Sequence, residues 1–229
     1  FKLRFPISTS WTIWAPPGCV TIAVAQIMNY HQFPRNYCDW SLVNQYNPKK
    51  LLEENDQDVL DEVALLSKKV AGGCRVECNF FGSGETFSTP AKAKRFLRDM
   101  GYTGIEKHLG YDADVIKTTL NKGCPVFIGA LASSNHGHAW VIDGYLNYEN
   151  IIKTYNGPAT LLETKTVNKL FVHCNWGWQS TRKNGYYASK VFDTRNGPAD
   201  LSGYPVATRG IDTKNYTWWF RIVTYNKPR

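Results

Sequence analysis

The sequence predicts an α+β protein, with helices in the first half of the chain and an antiparallel sheet in the second. Segments with helical periodicity fill positions 19 to 123, and short β-branched and aromatic runs fill positions 124 to 229. The 229 residues are 43% hydrophobic and 14% aromatic, which suffices for a large core. We expect one domain, residues 1–229, with a mainly helical lobe over about 1–123 and a mainly β lobe over about 124–229.

Four segments carry helix signals. The segment from Val20 to about Tyr30 is apolar at nearly every position except Gln26 and Asn29, so it predicts a helix buried on almost all sides. Pro17 and Gly18 lie where the chain would enter this helix. The other three combine an amphipathic period or an N-cap with a closing glycine: DQDVLDEVALLSKKVAGG, TPAKAKRFLRDMGY and DADVIKTTLNKG.

Five short runs in the second half predict a strongly curved antiparallel sheet. They are PVFIGAL, HAWVIDGYL, KLFVHCNW, GYYAS and TWWFRIVTY. The segment NYENIIKTYNGPATLLETKTVN, between the second and third runs, predicts an excursion inserted between two strands.

Charge and hydropathy exclude some classes of protein. The net charge is +8, but the basic residues are scattered, so we do not expect a nucleic-acid partner. No apolar run is long enough for a membrane span. The sequence starts at Phe1 rather than Met, from which we expect that a leader or pro-segment was removed, or that the chain was trimmed.

Six cysteines are present, and two of them, Cys74 and Cys78, are three residues apart in GGCRVEC. This spacing suits a local bridge or half of a zinc site. No second pair of ligands completes a tetrahedral site, so a bridge or two free thiols is favoured.

Cys19 has the position of a nucleophile. In the first turn of a long helix, a thiol feels the positive end of the helix dipole and nearby N–H groups, which favour the thiolate. The alternative is a small buried hydrophobic residue. The Pro-Pro-Gly that precedes Cys19 favours the first interpretation, because it exposes the start of the helix.

A thiolate enzyme also needs a base, and His138 is the best of five histidines. His31 would lie about 18 Å from Cys19 along the same helix, which is too far for it to act as the base. His108 is expected to be exposed after a charged helix, and His173 to be structural. Of the pair at a loop-to-strand junction, His138 has a direction fixed by the strand, whereas His136 precedes the flexible Gly137.

Strand alternation separates His138 from the nearest acidic residue. His138, Trp140 and Ile142 should share one face, and Ala139, Val141 and Asp143 the other. Asp143 is therefore not expected to orient His138.

The best source of an orienting group is HCNWGWQS. Asn175 could accept a hydrogen bond from the imidazole, and Trp176 could shield that bond from water. The alternative is that Asn175 starts a turn and the tryptophans belong to the core.

Three blocks in this order, GCVTIAVAQIMNYHQFP, GHAWVIDGY and NWGWQSTRKNGYY, resemble the cysteine, histidine and asparagine-tryptophan blocks of the streptopain family of papain-fold bacterial cysteine peptidases. The resemblance runs from about Gly18 to Tyr187. It implies a two-lobed papain-like fold with a cleft between the lobes. It also implies Cys19 as nucleophile, His138 as general base and acid, Asn175 as orienter and Trp176 as a shielding wall.

The papain-type C-G-[SA]-C-W signature is absent, so the resemblance does not extend to classical papains. The chain departs from the family pattern in two places: the interval of 37 residues from His138 to Asn175 is long, and residues 1 to 18 contain no glutamine that could serve as an oxyanion-hole donor. The donor would come from a missing N-terminal segment, which we favour, or from Ser10, Trp11 or Thr12, or only the Cys19 N–H remains.

The resemblance implies a cysteine endopeptidase with protein or peptide substrates, no cofactor and no metal. We expect a secreted or periplasmic enzyme whose propeptide acts as an inhibitor until it is removed. Gly82, Ser83 and Gly84 of FGSGETFS, with Gly137, are expected to contact substrate. The alternatives are a papain-fold acyltransferase or amidase, and a non-catalytic aromatic-rich domain that binds glycans or proteins.

Overall fold

The computed structural model describes residues 3–8, 11–47, 54, 56–78, 86–134, 136–158, 160–178, 183–199 and 214–229. The helices in these ranges are α1 (Cys19–His31), α2 (Trp40–Gln45), α3 (Gln57–Gly73), α4 (Pro90–Asp99) and α5 (Ala113–Asn121). The strands of the first half are β1 (Leu3–Ser8), β2 (Trp11–Ala15), β3 (Glu77–Cys78), β4 (Thr86–Phe87) and β5 (Thr103–Leu109). Those of the second half are β6 (Val126–Ser133), β7 (His136–Asn156), β8 (Thr160–Asn175), β9 (Gly185–Ala188), β10 (Phe192–Asp193), β11 (Asn215–Tyr216) and β12 (Trp218–Asn226).

One antiparallel sheet organises the molecule. Its strand order is β5-β12-β6-β7-β8-β9, and every neighbouring pair runs antiparallel. The predicted α+β class is confirmed, since helices of the first half pack against this sheet.

The sheet separates two hydrophobic clusters because side chains alternate along its central strands. Ala139 and Val141 face the cluster built with α1, α3 and α4. Trp140 and Ile142 face the cluster that includes Ile116 of α5. The alternation predicted for these four residues of β7 is confirmed, and it places the strand between both cores.

Helix α1 is the central element of the first cluster. Val24, Ile27 and Met28 have no exposed surface, and the helix packs on β7. The predicted buried helix is confirmed. It begins at Cys19, one residue before the predicted start, so the thiol occupies its first position.

Beyond the other strands of the sheet, β7 and β8 continue as a long two-stranded arm. Tyr148 pairs with Lys169, and pairing continues to Asn156 and Thr160, while β6 pairs with β7 no further than Ile142. The insertion expected at 147–168 therefore forms this arm. Five of its large apolar side chains are exposed: Ile151, Ile152, Tyr155, Leu161 and Leu162.

The helical half is less purely helical than expected. Residues Thr103–Leu109 form β5, which pairs with β12 at the edge of the sheet. Their side chains are mostly exposed and polar, so they lack the apolar alternation that announces a strand. His108, expected to be exposed after a helix, is half-buried in β5 with Nε2 3.1 Å from the Thr224 hydroxyl.

Two further expectations concern the cysteines and the membrane. Cys74 is a buried free thiol, so it forms no bridge with Cys78. No helix among the described residues is long and apolar enough to cross a bilayer.

Candidate active site

The Cys19 thiol lies at the first residue of α1, where Gly18 turns the chain into the helix. Gly18 has φ 83°, in the left-handed region that favours glycine. A Cβ at Gly18 would lie 2.5 Å from the hydroxyl oxygen of Thr86, so the close approach of β4 also requires glycine. The first turn of α1 contains no acidic residue, and Cys19 is partly exposed. The thiol is therefore held at a positive helix end, in a residue that keeps part of its surface exposed.

The side chain of His138 determines the ionisation of this thiol. Burial alone would raise the pKa of Cys19, but the hydrogen bond to His138 and the charge of its ring lower it. Hydrogen bonds from the backbone N–H groups of Ala139 and Val20 lower it further. The resulting pKa is below the ordinary thiol value of 9.0, which favours the thiolate.

The other described thiols behave in the opposite way. Burial raises the pKa of Cys38 to about 11 and that of Cys74 to about 12. Burial also raises the pKa values of Cys124 and Cys174. Of the five cysteines whose side chains the structure describes, only Cys19 has a lowered pKa.

The hydrogen bond on the far side of the His138 ring fixes its tautomer. Nε2 lies 3.0 Å from the backbone oxygen of Trp176. A carbonyl oxygen can only accept, so Nε2 must carry the proton and donate it. Nδ1 is then the nitrogen left to accept a proton from the Cys19 thiol.

Aromatic rings surround the imidazole of His138. The rings of Trp140 and Trp176 are roughly parallel to it, with centroids at 6.3 and 5.9 Å. Trp178 and Tyr216 lie at 5.0 and 5.9 Å. These rings restrict the motion of the imidazole.

Asn175, the expected orienter, lies at the end of β8 beside Trp176, but its amide oxygen meets other donors. Gln26 Nε2 donates to this oxygen at 2.9 Å, the Gly177 backbone N–H at 3.2 Å and Asn184 Nδ2 at 3.3 Å. The backbone N–H of Gly177 establishes that the accepting atom is the oxygen. In this structure the neighbouring carbonyl of Trp176, rather than the Asn175 side chain, accepts from His138 Nε2.

The remaining histidines and Asp143 lie away from the thiol. His136 is exposed, with Nδ1 2.9 Å from the Ser133 hydroxyl. Asp143 forms an ion pair with His173, and this hydrogen bond raises the pKa of His173. The inference that Asp143 does not orient His138 agrees with this pairing. His31 bonds to the Tyr225 hydroxyl at the opposite end of α1.

Of the expected substrate-binding residues, Gly82, Ser83 and Gly84 lie outside the described residues. Thr86, at the end of the same segment, lies against Gly18 and therefore beside the nucleophile. Gly137 precedes His138 in β7 and is exposed, and a Cβ there would lie 2.8 Å from Leu131 Cδ2.

The candidates for a substitute oxyanion donor are only partly described. Ser10 lies outside the described residues. Trp11 and Thr12 lie in β2, for which the structure gives the backbone pairing with β1. At the thiol itself, the Cys19 N–H belongs to the first residue of a helix and has no partner within that helix.

Two residues at the site were not identified from the sequence. Gln26, which bonds to Asn175, had a usable signal, because it is polar in a largely apolar helix and follows Cys19 by two helical turns. Tyr216 had none, since a contact between rings far apart in sequence leaves no local pattern.

Within the described residues, no group of three or more His, Cys, Asp or Glu side chains could hold a metal ion. The chemistry available at this site is that of a polarised thiol and an imidazole of fixed tautomer.

The chain matches the model of a known family. The model of the Peptidase C10 family, the streptopain family, matches residues 12–187. Comparison with curated proteins gives no match. The family match covers most of the chain and contains the Cys19, His138 and Asn175 blocks. The chain therefore belongs to the Peptidase C10 family, and it is a cysteine peptidase with a papain-like α+β fold.

Proposed function

We propose that this chain is an endopeptidase that hydrolyses proteins through an acyl-enzyme on Cys19, with His138 as general base and acid. One observation carries the proposal: the thiol whose pKa is lowered is the one that His138 contacts. A nucleophile and a base within hydrogen-bonding reach, with the base held by a third group, form the arrangement that acyl transfer requires.

In the first half-reaction, the Cys19 thiolate attacks the carbonyl carbon of the scissile peptide. The carbonyl π electrons move to oxygen and give a tetrahedral oxyanion. When this intermediate collapses, the C–N bond breaks and imidazolium Nδ1 of His138 donates its proton to the leaving amine. A thioester on Cys19 and a neutral imidazole remain.

In the second half-reaction, neutral Nδ1 takes a proton from water as the water oxygen attacks the thioester. The C–S bond then breaks, the acid product leaves and the thiolate–imidazolium pair is restored. The Nε2 bond to Trp176 supports both steps, because the ring keeps one orientation while Nδ1 gains and loses a proton.

The oxyanion would be stabilised by the backbone N–H of Cys19 at the start of α1, where the helix dipole favours negative charge. Substrate residues before the scissile bond would lie along the segment of Gly82, Ser83 and Gly84.

We further propose that the enzyme works outside the cytoplasm, in secreted or periplasmic form, and that a propeptide blocks the cleft until it is removed. Western blotting of cell fractions and sequencing of the mature N-terminus would test both statements. A mature cytoplasmic enzyme that retains its leader would contradict them.

The first prediction concerns the nucleophile and the base. We expect Cys19→Ala to abolish cleavage of an unfolded protein and His138→Ala to lower kcat/KM by about 10²–10⁴-fold. The matched control is His136→Ala, which changes an exposed histidine two residues away and should keep activity within about twofold. Activity would be measured under reducing conditions, with active sites titrated by an irreversible thiol-directed epoxide.

The same titration separates the alternatives. An acyltransferase or amidase would react with the epoxide but leave an unfolded protein intact, and a binding domain would neither react with the epoxide nor cleave the protein. Full proteolysis by Cys19→Ala, or inactivation by His136→Ala with an active His138→Ala, would contradict the proposal.

A further inference from the structure

We propose that Gln26 is a positioning residue, which fixes the Asn175–Gly177 turn against α1 and so places the Trp176 carbonyl as the acceptor for His138. The inference rests on the proposed function of Cys19 and His138. It assigns to Asn175 an indirect role: its amide oxygen holds the turn, and the adjacent backbone carbonyl orients the imidazole.

The first step is the geometry of α1. Cys19, Ile22 and Gln26 are separated by three and four residues, so they lie on one face of the helix. Gln26 Nε2 donates to Asn175 at 2.9 Å. A Cβ on Gly177 would lie 2.5 Å from Ile22 Cγ2 and 3.6 Å from Gln26 Nε2. The helix that carries the nucleophile is therefore in direct contact with the turn that orients the base.

The second step is the shape of the turn. Gly177 has φ 70°, which reverses the chain immediately after Trp176. Asn184 holds the other side, since its side-chain oxygen accepts from the Trp176 N–H at 3.0 Å. Asn184 holds the N–H of Trp176, and Gln26 holds the preceding residue, Asn175. The Trp176 peptide therefore has a fixed direction, and its carbonyl oxygen lies 3.0 Å from His138 Nε2.

The third step is the cost of Gln26 to the fold. Its Oε1 is buried and has no hydrogen-bond partner in the part of the chain that the structure describes. A buried acceptor without a partner destabilises a protein, and an apolar residue of similar size would avoid this cost. We therefore expect that Gln26→Met does not lower the free energy of unfolding, so stability does not account for a glutamine at this position.

A positioning role and a purely structural role of Gln26 predict different results for Gln26→Met. If Gln26 positions the base, the variant keeps or raises its unfolding midpoint but loses about 10–100-fold in kcat with little change in KM, since substrate contacts stay. The pH profile of Cys19 alkylation by iodoacetamide should move to higher pH by about one unit, because a loosely held imidazolium stabilises the thiolate less. A structural residue would instead lower the midpoint and leave the profile of the folded protein unchanged.

Thr21→Val is the matched control. Thr21 lies on the same helix and is fully buried. Its hydroxyl has no hydrogen-bond partner among the described residues, so it bonds to neither Asn175 nor Gly177. We expect its alkylation profile and kcat to match wild type. A second control for the route through Asn175 is the double variant Gln26→Met/Asn175→Ala, which should be no slower than Asn175→Ala alone.

Three outcomes test the positioning role of Gln26. A shifted profile in Gln26→Met with no further loss in the double variant supports the inference. A wild-type profile and kcat in Gln26→Met, or multiplying losses in the double variant, overturns it while the proposed function stands. The wild-type chain provides the separate test of that function: if its Cys19 reacts no faster than the other thiols near pH 6, the thiolate–imidazolium pair itself is refuted.

Discussion

At the scale of single residues, the contrast between Cys19 and Cys174 shows how one neighbour decides the chemistry of a thiol. Burial by itself favours the neutral thiol, and so a higher pKa, at both residues. Cys174 has no cationic partner among the causes of its shift, so its pKa stays well above the ordinary value. Cys19 has the ring of His138 as a partner, and the pKa of Cys19 falls below the ordinary thiol value. Reactivity therefore follows from the imidazole rather than from accessibility.

His31 provides a prediction for the pH dependence of stability. Burial, with a smaller contribution from Lys227, lowers the pKa of His31 from 6.5 to about 4. In the unfolded chain the imidazole binds a proton near pH 6.5, whereas in the folded chain it stays neutral until about pH 4. The unfolded state therefore gains protons first as the pH falls, so this group destabilises the fold progressively between pH 6.5 and 4.

We expect His31→Gln to remove this dependence. The free energy of unfolding of wild type should lose on the order of 1–2 kcal/mol more than the variant between these pH values, less than the full linkage because part of the ring is exposed. Urea titrations at several pH values would measure it. Parallel pH profiles for the two proteins would contradict the assignment.

At the scale of elements, α1 and the arm differ in how much of the site depends on them. Helix α1 carries the nucleophile at its first residue and contacts the Gly177 turn through Ile22. Among the described strands, the arm of β7 and β8 pairs only with itself beyond Tyr148 and Lys169. It extends from the ends of the strands opposite to His138 and Asn175, so it lies far from the thiol.

This difference predicts that the arm can be removed. Replacing residues 149–168 with an Asn-Gly turn between the paired Tyr148 and Lys169 should keep kcat/KM for a short peptide within about twofold and the unfolding midpoint within a few degrees. The deletion also removes the exposed Ile151 and Leu162, so solubility should rise. Loss of activity in a folded variant would show that the arm supports the site.

At the scale of the whole molecule, the sequence predicts the features that depend on neighbouring residues in the chain. The buried helix at Cys19 and the alternation around Trp140 follow from the period of apolar residues, and both are confirmed. The strand β5 was missed because its exposed polar residues carry no such period. The ring contact between Tyr216 and His138 joins residues far apart in the chain, and only the closed fold brings them together.

The two hydrophobic clusters lead to a last prediction, because β6, β7 and β12 contribute side chains to both. Shared strands should make the lobes unfold together, as a single domain. We expect Leu97→Ala, a cavity in the first cluster, to cost about 2–5 kcal/mol and to lower amide protection equally in α1 and in β8, which belongs to the second cluster. Hydrogen exchange measured by mass spectrometry would resolve both regions. Leu109→Ala shortens a side chain that is 72% exposed, so it should change neither the free energy of unfolding nor the amide protection. Protection lost in α1 alone would mean that the sheet divides the chain into two units that unfold independently.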